Sequence, residues 1–179
     1  MGARTFLAMT LRRAIRVPRA DELATLQRVG ELAGRRFAEV GMDAIANHPP
    51  FTIDELESWR AAGRAWVRTV DDEVVGFVVV DLLDGASHIE EISVRLDAQG
   101  AGHGVALLDH VATWAADEGL AAVTLTTFDA VPWNRPFYER HGFVVLDPDA
   151  LTPELAARRD EEAEHGLDPA LRVCMRRPV

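Results

Sequence analysis

Two periods of hydrophobicity alternate along the chain, and each change of period marks an element. Residues 10–17 (TLRRAIRV) read as a strand, and Pro18 and Asp21 then open a helix in which Leu23, Leu26, Val29, Leu32 and Ala33 recur at helical spacing. The turn NHPPF (47–51) leads into a second helix, with Thr52 as N-cap and Glu55 as its capping-box partner. The β-branched runs AWVRTV (65–70) and VVGFVVVDLL (74–83), joined by DDE (71–73), predict an antiparallel hairpin. HIEEISV (88–94) is a further strand. From Gly104 the apolar residues Leu107, Leu108, Val111 and Ala115 share one helical face, and Gly119 caps its end. AAVTLTTF (121–128) alternates Val123 and Leu125 with threonines, so the strand, helix, strand order of residues 88–128 predicts a right-handed crossover between two parallel strands.

PWNRPFYERHGF (132–143) reads as a short helix with Pro132 early in it and Gly142 stopping it, followed by the strand FVVL (143–146). A charged helical stretch, TPELAARRDEEAEH (152–165), precedes the last strand, LRVCMRR (171–177). That long connection is readable either as a lid over a pocket or as a plain surface helix. With no internal repeat, low-complexity tract or linker, residues 1–179 are expected to form one mixed α/β domain, its core at about 10–178.

Composition narrows the setting. At 179 residues and 48% hydrophobic content the chain can close a core without disulfides or metals. The single cysteine, Cys174, excludes an internal disulfide framework and is expected to be buried and inert. No Cys/His cluster has zinc-site spacing, so no metal is expected. The start, MGARTFLAMTLRR, lacks the apolar run of a signal peptide, and no stretch approaches the ~18 apolar residues of a membrane span. A cytoplasmic protein with no membrane partner is the expectation. The net charge of −10 argues against a nucleic-acid partner, because phosphate affinity needs clustered cations. A cationic or neutral partner fits better. All 19 basic residues are arginine, which a base-composition bias in the genome explains without any mechanism.

Candidate chemistry starts at ISVRLDAQGAGHGVALL (92–108). Gly100, Gly102 and Gly104 precede a helix, where the first N–H groups lack partners and the helix dipole adds roughly half a positive charge. A phosphate fits there if no side chain blocks its approach. A tight turn with positive φ is the alternative, and it accounts for one glycine more readily than for three. A dinucleotide fingerprint requires GxGxxG directly after its strand, and a P-loop requires GxxxxGK[ST]. Here the spacing is Gln99-x-x-Gly102-x-Gly104, it follows Val94 only after a gap, and the chain has no lysine.

This stretch resembles the coenzyme A signature of the GCN5-related N-acetyltransferases, [Q/R]-x-x-G-x-[G/A], with Gln99, Gly102 and Gly104 at its defined positions. FYERHGF (137–143) resembles the family's second motif, an aromatic-Tyr pair in a short helix closed by Gly-Phe, and the element order matches over most of the chain. The resemblance implies an α/β fold with a central, mostly antiparallel twisted sheet of about seven strands, a parallel βαβ pair at the acetyl-CoA site, and flanking helices. It also implies acetyl-CoA as cosubstrate, no metal, and transfer of the acetyl group to a primary amine of a small molecule or peptide by direct attack on the thioester. Dimers are common among relatives, so a homodimer is an expected arrangement.

Such a reaction needs a general base, because an alkyl ammonium of pKa near 10.4 must lose a proton, at a cost of roughly 4 to 5 kcal/mol at pH 7. The strand HIEEISV offers His88, Glu90 and Glu91; alternation puts His88 and Glu90 on one face and Glu91 on the other unless a bulge intervenes. Counted back from Val94, the resemblance places the base at Glu90 or His88. Glu90 is preferred, Glu91 is left to hold a cationic acceptor, and His88 is the reserve base or a proton relay. All three are also readable as a solvated edge face.

Tyr138 resembles the family's general acid, donating to the departing coenzyme A sulfur; the alternative is an aromatic anchor for its short helix, a role that suits Phe137 better. The resemblance further sets the backbone N–H groups of Ile92, Ser93 and Val94 beside the thioester carbonyl and the pantetheine arm. Those of Gly100, Ala101, Gly102, His103, Gly104 and Val105 would hold the pyrophosphate. Arg95, Arg135 and Arg140 are candidates to offset its charge. One position departs: Val131 stands where the family commonly has a coenzyme-contacting Asn, and Asn134, about one helical turn on, is the candidate substitute. Trp133 is expected to line the substrate mouth or cap the core, and His48, His110, His141 and His165 read as satisfied or exposed.

Two other classes stay open at this point. A catalytically silent coenzyme A binding or sensor module needs only the loop, and the presence of both Glu90 and Tyr138 argues against it. A Rossmann-type nucleotide-binding protein conflicts with the motif spacing and the hairpin-rich first half.

Overall fold

A computed structural model describes residues 11–179. Seven strands form one sheet: β1 (Arg13–Arg16), β2 (Ala65–Val70), β3 (Glu73–Leu83), β4 (Ala86–Val94), β5 (Ala122–Phe128), β6 (Val144–Val145) and β7 (Arg172–Pro178). Their order is β1-β2-β3-β4-β5-β7-β6. Every neighbouring pair is antiparallel except β4 and β5, which the crossover helix α4 (His103–Asp117) makes parallel. The mixed α/β class and the mostly antiparallel sheet with one parallel pair are therefore as expected. Thr10, the first residue of the expected N-terminal strand, and most of the stretch read for a signal peptide lie outside the described residues.

The other helices, numbered around α4 in chain order, are α1 (Leu23–Gly34), α2 (Asp43–Ala46), α3 (Ile53–Ala61), α5 (Arg135–Arg140) and α6 (Pro153–Glu164). The capping box of α3 forms as read: Thr52 N–H donates to Glu55 Oε2 at 2.7 Å and Glu55 N–H to Thr52 Oγ1 at 3.3 Å. Three boundaries differ. A 3-10 segment, Arg35–Val40, and the one-turn α2 occupy what the pattern left as connection. The helix of the second motif starts at Arg135, with Pro136 in its first turn and Pro132 outside it, because proline lacks the N–H a helix interior requires. Strand β6 keeps only Val144 and Val145, since Phe143 turns into the core at 2% exposure.

Each sheet face buries its own cluster. On one, Leu107, Leu108, Val111 and Ala115 of α4 pack against Trp66, Val78, Val80, Ile89, Val123, Leu125 and Met175. On the other, Leu23, Leu26 and Val29 of α1 and Leu56 and Trp59 of α3 cover Ala65, Val67, Phe77 and Val79. Each fully buried side chain contributes about 1.5–3 kcal/mol, so the middle of the sheet is a rigid platform.

Two irregularities on that platform shape the site. The register between β3 and β4 slips so that Val79 faces Glu91 while Val80 faces Ile89, leaving Glu90 as an extra, bulged residue. Strands β4 and β5 pair only over Ser87–Ile89 and Val123–Leu125, so their C-terminal ends do not pair with each other. Unpaired main-chain groups thus face the gap between them.

Candidate active site

Just past the gap, the chain turns into α4. Gly100 and Gly102 have φ of 77° and 81°, a left-handed conformation that side chains resist, and an added Cβ at either would meet nothing within 4 Å. Gly104 has an ordinary φ; there a Cβ would touch Phe137 and Val94 at 3.7 and 3.8 Å. The turn therefore requires two of the three glycines. Gly102 is the N-cap of α4 and supplies no side-chain cap, and the first helical bond is Ala106 N–H to the Gly102 carbonyl. The N–H groups of His103, Gly104 and Val105 are left without helical partners, beside open space. That arrangement fits a pyrophosphate.

Gln99 ties this loop to two other elements. Its Nε2 donates to the Val94 carbonyl and its Oε1 accepts from Arg36 Nη1, both at 3.1 Å. The Arg36 guanidinium lies 4.0 Å from the ring centroid of Trp133. Trp133 packs on Phe37, which meets Phe128 edge to face at 5.3 Å. The segment Arg35–Val40 thus bridges the loop after β4 to the loop after β5 across the mouth of the gap.

The bulge changes where the acids point. Glu91 turns toward α1, its carboxylate filling the space beside Gly30, and accepts a 2.6 Å hydrogen bond from Ser93 Oγ. Among the described residues no arginine pairs with it. Burial pushes its carboxyl up to about 7, opposed only by the Ser93 hydrogen bond. Glu90 is on the same face, because the bulge, the one exception allowed to the expected alternation, does intervene between the two glutamates. Its side chain is 10% exposed and forms an ion pair with Arg158 of α6, which also reaches Asp81 at 3.2 Å. Burial outweighs that pair and pushes Glu90 up to about 7 as well.

His88 shares this face but is spoken for. It is buried, its Nδ1 lies 2.9 Å from Thr124 Oγ1, and burial followed by the charge of Arg158 depresses it to about 3. A histidine held neutral in this way positions β5 against β4.

Tyr138 approaches from the opposite face. It packs on the α4 cluster between Phe137 and Phe143, with ring centroids at 5.3 and 5.7 Å, and burial pushes its hydroxyl up to about 12. The hydroxyl is therefore a proton donor at neutral pH. The two glutamates thus lie on the α1 and α6 side of the sheet and Tyr138 on the α4 side.

Several residues take other places. Asn134 is the N-cap of α5 through its backbone, accepting from Phe137 and Tyr138 N–H, and the Val131 side chain is buried. Arg95 is held by Asp97 and Glu73, and Arg135 by Asp129 and Glu139, so both cations are already compensated locally. Arg140 is exposed. His103 is buried at the start of α4, accepting from Arg68 Nε at 3.4 Å. His48 is exposed and satisfied, as expected, with its Nε2 3.1 Å from the carbonyl of His165. Cys174 is buried as expected, and burial raises its thiol.

Arg36, Asp81, Arg158, Glu162 and Arg172 went unsingled in the sequence. The one usable signal was Asp81, an acid inside the apolar run VVGFVVVDLL. It accepts from Trp59 Nε1 and Arg64 as well as Arg158. The arginines looked like any surface cation.

A family model described as the acetyltransferase (GNAT) family matches residues 31–143. Among solved structures, the N-acetylglutamate synthase of Neisseria gonorrhoeae complexed with coenzyme A and N-acetyl-glutamate superposes with a TM-score of 0.70 at 16% identity, over 93% of this chain and 35% of that one. The PaiA N-acetyltransferase of Thermoplasma acidophilum in complex with coenzyme A gives 0.64 at 14%, over 94% and 99%. The ribosomal-protein-S18-alanine N-acetyltransferase of Escherichia coli gives 0.65 at 15%, over 94% of each chain. At these identities the likeness is one of fold.

Proposed function

Because the chain belongs to the acetyltransferase (GNAT) family, we propose that it transfers the acetyl group of acetyl-CoA to a primary amine by direct attack on the thioester, with Glu91 as general base and Tyr138 as general acid. The observation that carries this reading is the gap between the unpaired ends of β4 and β5, with a phosphate-ready helix start just past it. The cosubstrate supplies the acetyl group, activated as a thioester whose thiol of pKa near 8.5 leaves readily.

The chain's own groups do the rest. N–H groups of Gly100 to Val105 hold the pyrophosphate, and Gln99 fixes the loop that presents them. N–H groups of Ile92 to Val94 that point away from β3 are positioned for the pantetheine arm and for negative charge developing on the thioester oxygen. The ammonium gives one proton to Glu91 and the free amine attacks the thioester carbon; a nitrogen–carbon bond forms, the carbon–sulfur bond breaks, the sulfur takes a proton from Tyr138, and the second proton lost from nitrogen returns Tyr138 to its neutral form.

Glu91 is chosen over Glu90 on geometry. A carboxylate with no paired cation among the described residues, poised near 7, can accept a proton, whereas Glu90 has its Oε1 engaged by Arg158. Glu90 is better suited to hold the incoming ammonium. The coenzyme A complexes among the similar structures support the cosubstrate, and their named products and targets range from N-acetyl-glutamate to a ribosomal-protein alanine, so the fold does not select the acceptor.

Release of free thiol from acetyl-CoA across amino acids, polyamines, aminoglycosides and peptide N-termini tests the proposal. Amine-dependent release is the expected result. Binding of acetyl-CoA, seen as a raised melting temperature, with no release from any amine would favour a silent sensor instead.

A further inference from the structure

A buried cation on the far side of the gap has a donor to spare. Arg172 opens β7 opposite Phe128, its side chain is 10% exposed, and its guanidinium carbon lies 4.7 Å from the Phe128 ring centroid. Its Nη2 serves two acceptors, the Thr126 carbonyl and Glu162 Oε1, each at 3.1 Å. Its Nε is buried, and among the described residues no acceptor reaches it. A bare N–H on a buried cation is costly, and the Nε–Nη2 edge is one with which a guanidinium grips a carboxylate bidentately.

The helix covering this arginine carries a second, independent observation. Arg158 and Glu162 stand four residues apart on one face of α6 and both reach to the sheet, Arg158 to Glu90 and Asp81, Glu162 to Arg172. The helix offers a cation to an anion of β4 and an anion to a cation of β7. A zwitterion offers the same two charges in the same sense.

We propose that the acceptor is a free amino acid whose carboxylate docks on the Nε–Nη2 edge of Arg172 while its amine faces Glu90 and Glu91, taking the places that Glu162 and Arg158 hold when α6 is closed. The assignment rests on the amine-acetylation reading and adds the substrate class to it. Glu162 is then a competitor for Arg172, and loosening it helps the acceptor. Arg172 is a specificity residue, since an uncharged amide in place of the carboxylate cannot accept from both donors of a cation as strongly.

Thiol release with matched pairs of L-amino acids and their carboxamides is the test. At least one acid is expected to exceed its amide by about tenfold or more in kcat/KM. Arg172→Gln and Arg172→Lys should bring that ratio to within about threefold by raising KM for the acid alone, and Glu162→Gln should lower KM for the acid. Amides or polyamines used as well as the acids, or Arg172 variants that slow both members of a pair equally, would overturn the assignment. The wild-type ratio decides by itself should a variant not fold. Turnover of amides or polyamines alone sinks only the amino-acid assignment, whereas no turnover of any amine sinks the acetylation reading and this assignment with it.

Discussion

The carboxylate of Glu91 occupies the space that a side chain on Gly30 would need: an added Cβ at Gly30 would come to 2.5 Å of Glu91 Oε1. A glycine in the middle of α1 is otherwise unfavourable by about 0.5–1 kcal/mol relative to alanine. Its presence follows if the room it leaves is used. Gly30→Ala is therefore expected to keep or slightly raise the melting temperature, since only the end of a flexible side chain must shift, while lowering kcat/KM by about tenfold or more as the base is displaced. Parallel melting and rate measurements check this; an unchanged rate would separate Glu91 from the chemistry.

Burial of Glu91 also has a signature in stability. Its folded carboxyl is raised to about 7, above the ordinary value near 4.3, so the folded state binds the proton more tightly than the unfolded chain. The stabilisation is full below pH ~4.3 and is lost as pH rises through about 7. Glu91→Gln, which carries no charge, should melt above the wild type at pH 8 by an amount corresponding to roughly 1–3 kcal/mol, and the gain should vanish near pH 4. Calorimetry at both values measures it.

Much of the fold was legible because its signals are local. Thr52 and Glu55 cap α3 through bonds that span one turn, and Gln99, Gly102 and Gly104 have a spacing set by one loop's backbone. The bulge at Glu90 was not legible, because two adjacent glutamates look the same in a regular strand and in a slipped one. Only pairing with β3 shows that both point toward α1 and α6. Arg158 and Arg172 gain meaning only when α6 folds back over the gap, a contact between residues far apart in the chain. The 3-10 segment Arg35–Val40 carries Arg36 and Phe37 to the mouth, where nothing in RRFAEV alone signalled it.

The bridge from Val94 through Gln99 to Arg36 should matter for the cosubstrate more than for the chemical step. Gln99→Ala removes both 3.1 Å bonds. We expect KM for acetyl-CoA to rise about five- to tenfold with kcat within about twofold, as for an interaction equal in ground and transition states. A fall in kcat with KM unchanged would place Gln99 in the reaction itself.

Tyr138→Phe tests the acid. The departing thiol has a pKa near 8.5, so protonating it supplies less than removing a proton from an ammonium. The loss in kcat is expected to be about tenfold, smaller than for Glu91→Gln, and to shrink with acetyl donors whose thiols are more acidic. Equal losses with every donor would leave Tyr138 as an aromatic anchor between Phe137 and Phe143.

The central claim, that Glu91 accepts the amine's proton, is tested most directly by the pH dependence of kcat/KM in wild type, Glu90→Gln and Glu91→Gln. Wild type should rise through an apparent pKa of about 7. Glu90→Gln should keep that limb with a higher acceptor KM. Glu91→Gln should lose the limb together with about a hundredfold or more of the rate at neutral pH. A Glu91→Gln enzyme that retains the wild-type profile, with the limb lost in Glu90→Gln instead, would contradict the account.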